Sequence, residues 1–467
     1  MSHALGREPR RRRRPLRLMI LAAAAAATAL AAALLVALPR LTDEHPGYER
    51  IGYFAAWNVA NRGYLVRDVH TSGAAERLTR LQYAFGNLNA DGECYIGDDT
   101  DPWSDYQRRF TAEESVSGVA DTYEQPLAGN LNQLRQLRAA HPGLRTAVSL
   151  GGWNWSRHFS DAALTEESRR AFARSCVDLW LRGNLPVRDG EPQGGEGAAF
   201  GVFDGIDLDW EWPATDGNPH NTVRPEDREN YTLLVAELRR RLDELEAETG
   251  REYSLTMTFS ADPERLAAGL EPEIFDYVDL VSVQGYDLHG SWSDTTNHHA
   301  QLHSPDDDPS QARLSVAATV DAYLDHGLPA HKLVVGVPGF GRGWSGVAPG
   351  NDGLYQVPSG DAPGGYGAGG ESYRVLAEAE GERGVDTEAA AAWLYDGDAF
   401  WSFDTPETVA LKGAYVAERR LGGLFIWSLE MDSPDAALVR AMDESLPPAV
   451  PPVPTPSVLF GSEPPSP

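Results

Sequence analysis

Short apolar runs alternate with longer amphipathic stretches along most of this chain. Eight of the runs read as buried strands: Arg50–Trp57, Leu81–Leu88, Arg145–Gly151, Val202–Glu211, Tyr253–Phe259, Val278–Tyr286, Lys332–Val337 and Gly423–Leu429. Helical periodicity falls between them at Asn130–Ala140, Glu166–Arg182, Arg228–Thr249, Ser315–His326 and Pro406–Leu421. The clearest helix is Arg228–Thr249, with Leu233, Leu234, Leu238, Leu242 and Leu245 expected on one face and Gly250 as the stop. Eight strands with intervening helices predict an α/β fold, a (β/α)8 TIM barrel, whose core of roughly 250 residues leaves room for insertions. The largest is the glycine-rich stretch 345–398, predicted to be a small α+β subdomain after the seventh strand.

The two ends read differently. Arg10 to Arg14 form an unbroken basic run, joined by Arg17, and Leu18 to Leu38 is then apolar except for Thr28. At 1.5 Å per residue that stretch reaches about 31 Å, enough to cross a hydrocarbon core. Basic residues ahead of the span keep that end cytoplasmic, so the chain after Pro39 is expected to be exported, either secreted or held at the cytoplasmic membrane. The span exceeds the roughly 7–15 residues of a signal h-region, which favours a single membrane anchor over a cleaved signal peptide, although Ala29 and Ala31 offer a peptidase small residues. Residues 446–467 form a proline-rich tail with no capacity to pack into a core. The expected division is therefore 1–46 for the basic terminus and apolar segment, 47–445 for the barrel, and 446–467 for the tail.

Composition narrows the function. Hydrophobic residues at 42% and charged residues at 23% of 467 fit a globular protein and exclude a polytopic membrane chain. The formal net charge of −29 understates the acidity, because eight arginines and one glutamate fall in residues 1–40. Such a surface repels phosphate backbones, which excludes nucleic acid as a partner and favours a monomer. Cys94 and Cys176 are the only cysteines, with no C-x-x-C spacing for zinc or thiol redox chemistry. They either pair in an oxidising compartment or stay separate as buried thiols.

The chemistry concentrates in Phe203–Pro213, F-D-G-I-D-L-D-W-E-W-P. Asp207, Asp209 and Glu211 alternate with Ile206, Leu208 and Trp210, so a strand points the three carboxyls to one face. In a barrel that face looks inward, and Glu211 sits at the C-terminal end, where barrel enzymes react. Like charges stacked in a half-buried site disfavour full ionisation, so one carboxyl stays protonated near neutral pH, as a general acid must. A calcium loop needs spaced oxygens around a glycine turn rather than β alternation, and His289, His298 and His299 fit no standard metal spacing, so they are expected to be solvated loop residues.

D-G-I-D-L-D-W-E matches the D-x-x-D-x-D-x-E signature of glycoside hydrolase family 18, the chitinases, and other segments support it. Ser149-Leu150-Gly151-Gly152-Trp153 resembles the family's S-x-G-G motif on the third strand, and Tyr53-Phe54-Ala55-Ala56-Trp57 its first-strand Y-x-x-x-W. Tyr286-Asp287 resembles the sixth-strand Tyr-Asp pair, Trp427 the eighth-strand tryptophan beneath the sugar, and Phe403-Asp404 with Lys412 the approach to that strand. Gly341-Arg342-Gly343-Trp344 resembles the close of the seventh strand, and the insertion after it the small α+β domain of bacterial chitinases.

The resemblance implies hydrolysis of β-1,4 links in chitin by a retaining mechanism in which the substrate's own acetamido group is the nucleophile, with no cofactor and no metal. Glu211 would be the acid, Asp209 would hold the acetamido N–H, Asp207 would share its proton, and Tyr286 with Asp287 would orient the acetamido group. Tyr53, Trp57, Phe85, Gly152, Trp153, Gln284, Asp287 and Trp427 are the expected sugar-binding residues, with Asp204 and Ser149 behind them. Trp103, Trp155 and Trp292 are equally readable as further subsites or as packing. Two positions depart from the family: Gln284 where many relatives carry Met, and Phe340 where a tyrosine is common. An endo-β-N-acetylglucosaminidase shares the motif, whereas a non-hydrolytic lectin would lack the acid that Glu211 supplies.

Overall fold

A computed structural model of the chain describes residues 47–447. The apolar segment 18–38 and the tail beyond residue 447 lie outside the described residues. Within them no helix is long and apolar enough to cross a membrane.

Eight parallel strands close into a barrel: β1 (Glu49–Ala55), β2 (Arg80–Leu88), β3 (Arg145–Gly151), β4 (Gly205–Asp209), β5 (Ser254–Phe259), β6 (Leu280–Val283), β7 (Leu333–Pro338) and β8 (Gly423–Trp427). Each pairs with its sequence neighbours, and β1 closes the ring by pairing with both β2 and β8. All eight predicted strands are present, but β4 ends at Asp209 and β6 at Val283, so Glu211 and Tyr286 stand just beyond the strands at the C-terminal mouth.

Helices α1 (Val66–Thr71), α2 (Gly129–Ala140), α3 (Glu166–Cys176), α4 (Asp227–Thr249), α5 (Pro263–Gly269), α6 (Val316–Asp325), α7 (Pro406–Arg419) and α8 (Ala437–Ser445) cover the outside. Their starts follow local chemistry. Thr165 and Thr405 each close a capping box, and Asp262 and Ser315 accept from backbone N–H groups of the first turn. In α4, Leu234, Leu238, Leu242 and Leu245 are buried, and Gly250 ends the helix in a left-handed conformation. Leu233 is exposed, contrary to expectation. It lies about 100° around the helix from Leu234, off the buried stripe.

Side chains alternate about the barrel wall. Ile206, Leu208, Val148, Leu150, Leu255 and Met257 face the helices, while Ile51, Tyr53, Val334 and Phe425 fill the interior. Beyond β7 the chain forms an antiparallel sheet that begins at Phe340–Ser345 and ends at Phe400–Phe403, wider at both ends than 345–398. Its entry and exit strands are direct neighbours, with Gly341 opposite Phe403. Phe340 and Arg342 therefore belong to this insertion and not to the seventh barrel strand. A second excursion leaves β2, pairs Cys94–Tyr95 back against Asn87–Leu88, and is joined to α3 by a Cys94–Cys176 disulfide.

Candidate active site

The inward face of β4 carries the carboxyl row. Register sets Asp207 between Ser149 on β3 and Thr256 on β5. Ser149 donates to Asp207 Oδ2 at 2.7 Å, Thr256 to Oδ1 at 2.6 Å, and the Tyr53 hydroxyl, reaching across the barrel from β1, to Oδ2 at 3.0 Å. Asp207 is fully buried. Burial raises its pKa, and the donors from Thr256, Ser149 and Tyr53 hold the rise back.

One step nearer the mouth, Asp209 is 4% exposed, and its Oδ1 has no hydrogen-bond partner in the protein. Its pKa is pushed well up by burial, then by Glu211 and Asp207. Glu211 is 9% exposed and pushed up to about 8 by burial first and the Asp287 charge second; Arg265 and a hydrogen bond from Gln284 oppose the rise. A buried row of three carboxyls thus keeps a proton at neutral pH.

The main chain of Glu211 is held on both sides. Its N–H donates to Ser156 Oγ at 2.9 Å, and its carbonyl accepts from Asn221 Nδ2 at 2.6 Å. Two glycines let β3 pass close by. A Cβ on Gly151, at φ +107°, would stand 2.5 Å from the Asp209 carbonyl oxygen, and one on Gly152 would stand 2.5 Å from the Phe85 ring.

Tyr286 is buried against Phe340 and Phe425, with centroids 5.6 and 6.0 Å away. Asp287 beside it receives a two-pronged pair from Arg342, Nε to Oδ1 at 2.7 Å and Nη2 to Oδ2 at 2.9 Å. Burial pushes the Asp287 pKa up, but His299 and Arg342 override that and hold it at about 2. Asp287 therefore stays charged and helps keep the proton on Glu211.

These groups open into a cleft of about 1010 Å³ at the C-terminal ends of the strands. Trp427 floors it, tilted on Tyr53 at 5.4 Å and stacked on Phe85 at 5.5 Å, while Trp57 stacks on Phe85 at 5.9 Å. Trp57 is 41% and Trp153 48% exposed, both at the cleft. Trp155 and Trp292 line it too, whereas Trp103 does not. The far wall comes from the excursion after β2, through Asp99, Asp101, Ser104 and Asp105.

The structure therefore brings Glu211, Asp209, Tyr286, Tyr53, Trp57, Phe85, Trp153, Gln284, Asp287 and Trp427 to one cleft, with Asp207, Ser149 and Gly152 packed directly behind. Asp204 is elsewhere. It precedes β4 at the opposite end of the barrel and pairs with Arg138 at 2.6 Å and Arg251 at 2.9 Å, so it ties α2 and the turn after α4 to the barrel floor instead of supporting the carboxyls. The histidines also differ from expectation. His289, His298 and His299 are buried, with His298 Nε2 3.6 Å from Asp386 and His299 Nδ1 3.8 Å from Asp287. Among the described residues no cluster of His, Cys, Asp and Glu has metal-holding geometry. Arg342, Arg265, Ser156 and Asn221 were missed. Arg342 had a visible signal, a lone cation between glycines in a stretch matched for other reasons; Ser156 and Asn221 had none.

Comparison with known proteins gives a consistent result. The model for "Glycosyl hydrolases family 18" matches residues 49–432. Chitinase 63 of Streptomyces plicatus is 37% identical over 412 residues, covering 86% of this chain and 61% of that protein. Chitinase A1 of Niallia circulans is 33% identical, covering 89% of this chain and 61% of the other. The chain thus spans about three fifths of the length of the curated relatives it matches. The solved catalytic domain of the psychrophilic chitinase B from Arthrobacter TAD20 superposes with a TM-score of 0.82 at 39% identity, covering 87% of this chain and 96% of that one.

Proposed function

This chain belongs to glycosyl hydrolases family 18, and on that premise we propose that it is an exported chitinase cleaving β-1,4 links between N-acetylglucosamine units with retention of anomeric configuration. The observation that carries the reading is the carboxyl row: Glu211 buried and pushed up to about 8 beside Asp209, whose free Oδ1 faces an aromatic-floored cleft. Protonated Glu211 donates to the glycosidic oxygen while the substrate's acetamido carbonyl attacks the anomeric carbon, giving an oxazolinium ion. Asp209 accepts from the acetamido N–H and offsets the developing cation, Asp207 shares a proton with it, and the Tyr286 hydroxyl orients the acetamido group. Deprotonated Glu211 then takes a proton from water as that water opens the ring. The rings of Trp427, Trp57 and Trp153 stack on sugar faces.

The chain serves this as a basic N-terminus with a signal or anchor segment (1–46), a catalytic barrel (47–445) with its insertion, and a proline-rich tail (446–467), working as a monomer. Its apolar residues 18–38 and its cysteine pairing support export.

The test is hydrolysis of chitooligosaccharides with anomer-resolved product analysis, beside Glu211→Gln. β-Anomer products are expected first, with a loss of about 10²–10⁴ in kcat for the variant. Initial α-anomers would overturn the mechanism. Binding without hydrolysis by the parent protein would indicate a lectin, and cleavage of glycoprotein glycans but not chitohexaose an endo-β-N-acetylglucosaminidase.

A further inference from the structure

One contact at the rim joins two segments from opposite ends of the sequence. Arg62, in the turn after β1, places its guanidinium carbon 3.5 Å from the ring centroid of Tyr366 and donates to the Gly365 carbonyl at 2.6 Å. Tyr366 sits on the glycine-rich loop of the insertion, which is internally tied: Tyr366 N–H donates to Gly370, and Gly365 N–H donates to Glu371. The ring, like that of Trp427, packs against the buried cluster that contains Tyr53 and Phe340.

The two partners face different spaces. Tyr366 lines the large cleft, whereas Arg62 lines a separate cavity of about 250 Å³. That cavity has polar walls suited to hydroxyl groups, with Tyr64, Asp68, Thr71 and Arg374 beside Arg62. The stacked pair thus lies between the two, each partner lining one of them. A planar cation over an aromatic face is a directional contact, worth more where water is partly excluded.

We infer that Arg62 and Tyr366 form the partition that ends the sugar cleft on this side, and so fix how many sugar units the protein holds there. This rests on the proposed action on chitin-type chains and deepens it: the pair determines cleavage position, while the carboxyls determine chemistry. With the partition removed, the smaller cavity becomes an extension of the cleft, with room for one more sugar ring.

The test is binding, so that it does not depend on turnover. Full-length protein carrying Glu211→Gln is titrated with chitooligosaccharides of increasing length, read by tryptophan fluorescence. Affinity is expected to rise with length and then level off once the cleft is full. Adding Arg62→Ala or Tyr366→Ala should move the plateau one unit longer, the added unit giving roughly three- to tenfold tighter binding. Tyr366→Phe, which keeps the ring, should keep the original plateau. The two alanine variants approach the contact from separate segments, so a folding defect in one leaves the other informative. An unchanged plateau in both overturns the partition. Hydrolysis lost in the parent protein with the plateau shift intact removes only the proposed reaction, and failure of every variant to bind any oligosaccharide overturns both.

Discussion

The Cys94–Cys176 bond closes a loop of 82 residues that contains much of one cleft wall. Cross-linking such a loop removes denatured-state entropy of about 15 cal/mol/K, or about 4.5 kcal/mol at 25 °C. That is an upper figure, because the reduced chain retains some structure. Both sulfurs are buried, so alanine is the cleaner replacement, serine adding an unpaired hydroxyl. Cys94→Ala/Cys176→Ala is expected to lose about 3–4.5 kcal/mol in guanidinium unfolding relative to the oxidised protein. Without the staple, the wall formed by Asp99, Asp101 and Asp105 is still held by the pairing of Cys94–Tyr95 with β2, by Tyr83 donating to Asp105, by the Tyr106 hydroxyl donating to the Pro186 carbonyl and by the Arg109–Glu191 pair, so the loss should fall on global stability and leave the cleft in place. Two titratable thiols in the unfolded, unreduced wild-type protein would refute the pairing, and coincident unfolding midpoints would refute the entropy reasoning.

The acid role proposed for Glu211 requires its proton, and with its pKa pushed up to about 8 the proton is present below that pH and lost above it, so kcat/KM should fall on the alkaline side from about pH 8. Gln284 lowers that pKa by hydrogen-bonding the charged form, so Gln284→Leu should move the limb upward by about one pH unit; a downward shift in the pH–rate profile would contradict this. Trp153 stands exposed at the cleft with little packing to lose, so Trp153→Ala should raise KM roughly two- to tenfold with kcat unchanged, measured on a soluble oligosaccharide.

The barrel was legible because its signals are local. Each strand is a short apolar run, and the alternation over 206–211 sets both the inward face and the order of the carboxyls. Parity also explains the failure at Asp204: an even-numbered residue cannot share the face of 207, 209 and 211, and it lies before the strand begins. His298 and His299 are buried by the distant insertion, where Asp386 faces the His298 ring and Ser402 accepts from the His299 N–H, so nothing local in sequence signals it. Arg342 illustrates the same limit. Its fork on Asp287 depends on the first strand of the insertion, Phe340–Ser345, bringing it to the cleft, and no local pattern encodes that approach. Ser156 and Asn221 act on the backbone of Glu211 through side chains that, read in sequence, resemble any solvated polar residue.

The insertion enters and leaves the barrel through strands bonded to each other, with Gly341 opposite Phe403. Its two ends are already as close as the arms of a hairpin, so a short turn can replace everything between them without rethreading the eight-stranded ring. The insertion is thus a module separable from the barrel. Because Arg342 and Tyr366 both travel with it, replacing it would remove the cation that pairs with Asp287 and a stretch of the cleft rim together, leaving the carboxyl row untouched.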